Sequence, residues 1–489
     1  MAEECSQCDD PGTVCCSCKV VYCPGCFSSH TKKKPSHHEV RPSKLAAITN
    51  RVFEGARDMY DNLKSMTEIF RRDEATKWFG LVMPEESDSE DESESPRIVE
   101  TLRFEELVES SLRQSTSDAK RQRPRIVSFV GETGAGKSTL IRFLIQSSSQ
   151  ESQDSDVPVL GSDSGHSANK STTGEVNLYS DPGTFGTESP VFFADCEGLS
   201  GGEPIASEHQ SAWFKHGISY PIAANGDQPL DRKTATENIY PRFLYMFSDV
   251  VCMVTGNPRR HSDLALKVLG WAKAGAQKAI NQDSLPALVI IINAASIMRP
   301  DPRWLSDPEA ATEAFFETVA GEISKNRGLQ ALAEEGGVDS MRALFARYFS
   351  SVHVSYVPLR GFGPHGDDEV VAKQVERLQH RILSDSARVK DAQAQSWRRL
   401  DAKLMLMEFR FAFEHITSGK PEPLDFSLIR QHGKATESAG DRVANFLKLC
   451  LLGKVEANFQ YASNFLALAL VRNALRAANI SMFHPARLD

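Results

Sequence analysis

The sequence predicts an α/β fold, a mostly parallel sheet with crossover helices, carrying a small cysteine-rich module before it and an all-helical extension after it. Three observations predict this. Short β-branched runs alternate with helical stretches from Arg125 onward, a glycine-rich motif closes the first of those runs, and seven of the ten cysteines crowd into residues 5–26. Alternating strands and helices are what a parallel sheet demands, because each parallel connection must cross back over the sheet. A chain of 489 residues has room for several folded units.

Residues 1–43 read as a metal-binding module. Cys5-x2-Cys8, Cys15-x2-Cys18 and Cys23-x2-Cys26 precede His30 and the adjacent His37 and His38. Each CxxC places two thiolates on one tight turn, which suits tetrahedral zinc, and eight ligands in four pairs imply two structural Zn2+ ions. Cys16 is an alternative to Cys15, and His37 to His38. So short a segment, almost without large aliphatic side chains, does not fold without metal. With every position on each ion filled, no water is activated.

Residues 44–83 read as a helical segment, because Leu45, Ile48, Val52, Ala56, Met59, Leu63, Met66 and Phe70 recur at steps of three and four. Packing on its own chain is preferred there to a dimerising coiled coil. Residues 84–122 read as an acidic flexible linker, since Glu85 to Ser95 alone holds seven acidic residues and no basic one.

Residues 123–364 carry the strand runs: Ile126 to Val130, Val176 to Tyr179, Val191 to Ala194, Val250 to Thr255, Leu288 to Ile292 and Val352 to Val357. Ser147 to Lys170, nearly all small and polar, reads as a long mobile loop. After the first strand, Gly131-Glu-Thr-Gly134-Ala-Gly136-Lys137-Ser138 matches GxxxxGK[ST] without a mismatch and leads into a helix at Thr139. The three glycines let backbone N–H groups turn onto the α and β phosphates of a nucleotide. Lys137 reaches the β and γ phosphates, Ser138 gives an oxygen to Mg2+, and Thr139 completes the nucleotide-binding set. The fold class is thus an α/β P-loop NTPase. Residues 365–489 read as a helical extension, with helical spacing over Glu369 to Leu383, Trp397 to Phe413, Arg442 to Leu452 and Val455 to Ala478.

Two resemblances follow from these motifs. The cysteine and histidine spacing resembles a B-box zinc finger, which implies crossed ligand pairs: Cys5, Cys8, Cys23 and Cys26 on one ion, Cys15, Cys18, His30 and His38 on the other. Asp195-Cys-Glu197-Gly198-Leu199 at the end of an apolar run, with Ser171-Thr172-Thr173-Gly174 before another, resembles the large GTPases of the guanylate-binding and dynamin type. That resemblance implies GTP as the nucleotide, Asp195 on Mg2+, Gly198 sensing the γ phosphate, and Thr172 or its neighbour Thr173 as the switch residue. A closer match is expected among fungal multidomain GTPases. The guanine-specificity position reads Asn293-Ala-Ala-Ser, without the usual carboxylate. Asn293 is a candidate base contact and equally a turn residue.

The function expected is Mg-dependent GTP binding with slow hydrolysis, because Leu199 stands where a catalytic Gln is common and the P-loop has no Arg. Glu197 is read as structural. Arg232 and Arg242 are read as surface ion-pairing residues, with completion of the site as the alternative. Protein partners are expected through the zinc finger and the helical tail, with nucleotide-dependent self-association as a further possibility. An ATP-binding P-loop nucleotidase is the runner-up, followed by a zinc-finger scaffold linked to ubiquitin transfer. The net charge is −9, and removing the seven acids of the linker leaves only −2. No overall basic field exists, so nucleic acid is not an expected partner. No apolar run approaches a membrane span, and an intracellular, cytoplasmic location is expected.

Overall fold

The computed structural model of the chain describes residues 14–15, 21–36, 74–83, 95–115, 121–148, 157–158, 175–198, 214, 217–223, 232–256, 261–276, 279–280, 284–295, 300–360, 366–395, 401–420 and 422–426. An antiparallel pair, β1 (Val14–Cys15) and β2 (Val21–Tyr22), leads into α1 (Pro24–Lys33). Next come β3 (Lys77–Val82), β4 (Arg97–Glu100), α2 (Arg103–Gln114), β5 (Arg125–Gly131) and α3 (Lys137–Ser148). They are followed by β6 (Val176–Ser180), β7 (Val191–Cys196), β8 (Ile218–Pro221), α4 (Arg232–Phe247), β9 (Val250–Thr255) and α5 (His261–Ala276). β10 (Ala279–Ile280) and β11 (Ala287–Ala295) precede five short helices: α6 (Pro302–Ser306), α7 (Pro308–Val319), α8 (Glu322–Lys325), α9 (Arg327–Gly336) and α10 (Met341–Ala346). β12 (Ser351–Pro358), α11 (Asp368–Gln395), α12 (Ala402–Thr417) and β13 (Leu424–Asp425) complete the described elements.

Nine strands form one mixed sheet in the order β12-β11-β9-β5-β7-β6-β3-β4-β8. From β12 to β7 the neighbours are parallel, and from β6 outward each pairs antiparallel. The parallel half is covered on both faces, which is why β5, β9 and β11 are near-continuous apolar runs rather than alternating ones. One face packs Val127, Phe129, Phe193 and Val289 against α3 (Leu140, Ile141, Leu144) and α11 (Val371, Val375, Leu378, Ile382).

The other face is aromatic. Trp78 and Phe79 of β3 meet Phe243 of α4, and Trp78 also meets Phe104 of α2 and Phe409 of α12. Phe243 stacks on Phe413 of α12 with centroids 4.2 Å apart and planes within 9°. Each such ring pair contributes about 0.5–1.5 kcal/mol beyond its buried area.

All six strands expected from the sequence are present, but three expected boundaries are corrected. Lys77–Val82, assigned to a helical segment ending at 83, is a fully integrated strand, because Trp78, Phe79, Leu81 and Val82 are all buried against helices on the sheet. The helical spacing up to Phe70 lies outside the described residues. Arg97–Glu100 and Arg103–Gln114, assigned to the acidic linker, are β4 and α2, whose apolar side chains the neighbouring charge run obscured. α11 and α12, assigned to a separate extension from 365, furnish core side chains to both faces of the sheet, and the compact unit ends at Phe426 rather than 364. The short strand β13 also follows Pro364, pairing parallel with β10. Residues 427–489, with the spacing over Arg442 to Leu452 and Val455 to Ala478, lie outside the described residues, as does most of the loop between Ser147 and Lys170. Among the described residues, no helix is long and apolar enough to cross a membrane.

Candidate functional site

β5 lies between β7 and β9, and the chain departs from it to both sides. Its carboxyl end is therefore a switch point, where open α/β sheets leave a crevice for ligands. The glycine-rich motif occupies that end. Gly131 (φ 147°), Gly134 (φ 76°) and Gly136 (φ 82°) all take positive φ, a region that L side chains rarely adopt. Two of them also lack space: a Cβ on Gly131 would lie 2.1 Å from the Val254 carbonyl oxygen, and one on Gly136 2.4 Å from Asn293 Nδ2. Such a turn directs successive amides inward, and the N-terminus of α3 adds its own unsatisfied N–H groups.

Lys137 is buried, and its Nζ donates to the carbonyls of Gly131 at 3.2 Å and Glu132 at 3.1 Å. Burial pushes its pKa down, with the carboxylate of Asp195 the first of several groups opposing that shift. Ser138 Oγ donates to Asp195 Oδ2 at 2.6 Å. Asp195 reaches the site because β7 is the strand beside β5, with Phe129 opposite Asp195 in register. A hydroxyl and a carboxylate side by side are the hard oxygen donors that Mg2+ takes, so the donor set fits that ion.

Two further expected residues also meet the loop. Gly198 abuts it so closely that a Cβ there would lie 2.3 Å from Thr133 Oγ1 and 2.7 Å from Thr133 N. Asn293, buried at the end of β11, donates from Nδ2 to the Ala135 carbonyl at 2.8 Å. Its amide N–H therefore braces the glycine-rich loop. Thr139 lies on the first turn of α3, half-buried. Thr172 and Thr173 lie outside the described residues.

Beside this loop is a buried charge cluster that the sequence did not announce. Glu175, the residue after Thr173-Gly174, has φ 67°, the sole positive φ of a non-glycine among the described residues. Arg232 Nη2 donates to Glu175 Oε1 at 2.6 Å and to Glu197 Oε2 at 2.9 Å, while Nη1 donates to the Leu81 carbonyl at 3.1 Å. Glu175 Oε2 accepts from Leu81 N at 2.7 Å and from the Tyr240 hydroxyl. The backbones join as well: Glu197 N donates to Glu175 O at 2.9 Å, and Glu175 N to Glu197 Oε2 at 3.2 Å.

The side chains of Arg232, Glu175 and Glu197 are only 17%, 8% and 9% exposed. Burial, and next the charge of Glu175, raise the Glu197 pKa, and Arg232 opposes them. For Arg232 burial alone lowers the pKa, but Glu175, Tyr240 and Glu197 together raise it above the ordinary value. Glu197 is thus held in a buried ion pair rather than left to face the loop. Arg232 is not a surface residue, because two buried carboxylates demand a counter-charge between them. Arg242 is half-buried and, among the described residues, makes no ion pair; burial lowers its pKa.

Of the zinc candidates, Cys23, Cys26 and His30 fall among residues whose side chains are described. Cys26 N donates to Cys23 Sγ at 3.5 Å, so that Cys23 caps α1, and His30 lies on the last turn of that helix. Among the described residues, no group of three or more His, Cys, Asp or Glu side chains comes together to hold a metal ion. Cys15 is described in its backbone alone, on β1. Cys5, Cys8, Cys18 and His38, with the alternatives Cys16 and His37, lie outside the described residues. No protein-family model matches the chain, and no curated protein matches it.

Proposed function

We propose that the chain binds a nucleoside triphosphate with Mg2+ at the Gly131–Ser138 loop and hydrolyses it slowly, with GTP as the nucleotide. The observation that carries this reading is the 2.6 Å bond from Ser138 to Asp195, which joins two motifs 57 positions apart beside three left-handed glycines. Ser138 and Asp195 would hold the ion, Lys137 the β and γ phosphates, and the Gly198 amide would meet the γ phosphate. Bound Mg2+ supplies charge neutralisation on the phosphates. Leu199 offers no water-orienting group and the loop no arginine, so turnover is slow unless a partner contributes one. The cysteine-rich module is read as two structural zinc sites that dock protein partners.

The experiment is displacement of a fluorescent GTP analogue from the full chain by GTP and by ATP, in Mg2+. GTP is expected to displace at least about tenfold better, and Lys137→Ala and Ser138→Asn to abolish binding. A carboxylate to the guanine donors is worth roughly 1.5–3 kcal/mol, and none follows Asn293. Because the Asn293 amide is also committed to the loop, a nucleotidase without base preference is the second reading. Equal displacement selects it, and no binding at all removes both. Metal analysis of the full chain is expected to return two zinc ions.

A further inference from the structure

The geometry points to Arg232 as the positioning residue that makes the two γ-phosphate-facing segments respond together, and so sets the preference for a triphosphate over a diphosphate. This rests on the nucleotide reading above. Glu197 lies between Asp195, on the expected metal, and Gly198, against the phosphate loop. Glu175 immediately follows the Thr172-Thr173-Gly174 motif in the chain. One nitrogen of Arg232 holds both carboxylates, and its other terminal nitrogen ties the pair to β3 through Leu81.

The energetics argue that this arrangement is more than a strut. Each buried ion carries a desolvation cost, and packed apolar side chains serve a purely structural purpose at lower cost. Two carboxylates against one guanidinium leave the cluster one negative charge in excess. Glu175 adds a left-handed backbone, strained for a residue with a side chain, and its carboxylate reaches the Leu81 amide only because Gly80 has no side chain, a Cβ there falling 2.5 Å from Glu175 Oε2. Strain, like charges and burial all coincide at Glu175 and Glu197.

Without Arg232 the two carboxylates repel across the shared backbone bonds, and the segments beginning at Glu175 and ending at Gly198 separate. The phosphate loop, built on Gly131, Gly136 and Asn293, makes no contact with Arg232 among its described hydrogen bonds. Diphosphate affinity should therefore survive where the triphosphate increment does not.

The test measures GDP and a non-hydrolysable GTP analogue, with ADP and its analogue alongside, on the full chain in Mg2+. Arg232→Ala should lower triphosphate affinity about 10- to 100-fold and change diphosphate affinity less than about twofold. Arg232→Lys, which keeps the charge but reaches one carboxylate at a time, should fall between them and serves if the alanine variant does not fold. Glu197→Gln, which removes the excess charge, should partly restore the triphosphate increment in the Arg232→Lys background. Equal loss for both nucleotides, or an unchanged ratio in the lysine variant, overturns the assignment. Failure of the unaltered chain to bind even a diphosphate overturns the nucleotide reading itself, and this inference with it.

Discussion

The Asn293 side-chain amide, at the end of β11, donates to the Ala135 carbonyl in the middle of the glycine-rich loop. The contact is short because Gly136 has no Cβ to obstruct it. Asn293→Ala should therefore weaken GTP, ATP and inorganic pyrophosphate alike, by about 2- to 10-fold for one neutral hydrogen bond. Titration of the three ligands checks this, and a selective loss of GTP would assign Asn293 to the base instead.

Gly198→Ala should remove triphosphate binding and lower stability by about 1–3 kcal/mol. The added methyl would meet not only the Thr133 hydroxyl but also its Cα at 2.6 Å, so no rotamer change relieves it. Thermal unfolding and nucleotide titration of the variant check it, and wild-type behaviour in both would show that the two loops stand further apart.

Glu408 on α12 faces a cavity of about 40 Å³ shared with Asp249, Lys390 and Gln393. Burial raises its pKa to about 7 from 4.5, with Lys390 opposing the shift. The folded chain then binds the proton more tightly than the unfolded one. Its stabilising contribution is complete below about pH 4.5 and lost as the pH rises through about 7. Glu100, raised to about 7 by burial and by Glu105, acts in the same direction. Glu408→Gln, fixed in the neutral form, should gain up to roughly 3 kcal/mol on the parent between pH 4.5 and pH 8. Urea midpoints at the two pH values measure it, and parallel changes in both proteins would exclude Glu408 as the cause.

A fragment of residues 123–364 should not fold, whereas residues 74–426 should. The shorter piece lacks β3, β4, α11 and α12, and so leaves Phe243 without Phe79 and Phe413. Phe413→Ala in the full chain is expected to cost about 3–5 kcal/mol. Near-ultraviolet circular dichroism and cooperative melting distinguish the two fragments.

The parallel half of the sheet was legible in the sequence because buried strands are unbroken apolar runs, and the glycine-rich loop because its glycines answer a backbone requirement at fixed spacing. β8 was not, since three of its four residues are exposed and only Tyr220 packs inward. β3 and β4 were hidden by the acid-rich stretch between them. The Glu175, Glu197, Arg232 and Tyr240 cluster left no trace as a cluster, because its members come from three separate places in the chain, Arg232 and Tyr240 sharing α4, and Arg232 and Glu175 stand 57 positions apart. No local periodicity links such residues, and an arginine in a polar stretch looks solvated until two carboxylates are brought to it. Asn293 kept two readings in the sequence because only the fold brings Ala135 to it.

β3 and β4 are adjacent antiparallel strands with Val82 opposite Arg97, and the acid-rich stretch runs between them. Val82 and Arg97, which flank it in the chain, are therefore one strand spacing apart, roughly 5 Å. A segment fastened at both ends cannot act as a spacer between bodies, and its length hardly registers in the stability of the sheet: each doubling adds only about 0.6 kcal/mol of closure entropy. That makes it a natural graft point, where a fluorescent protein or an epitope can be spliced in while the strands on either side stay paired.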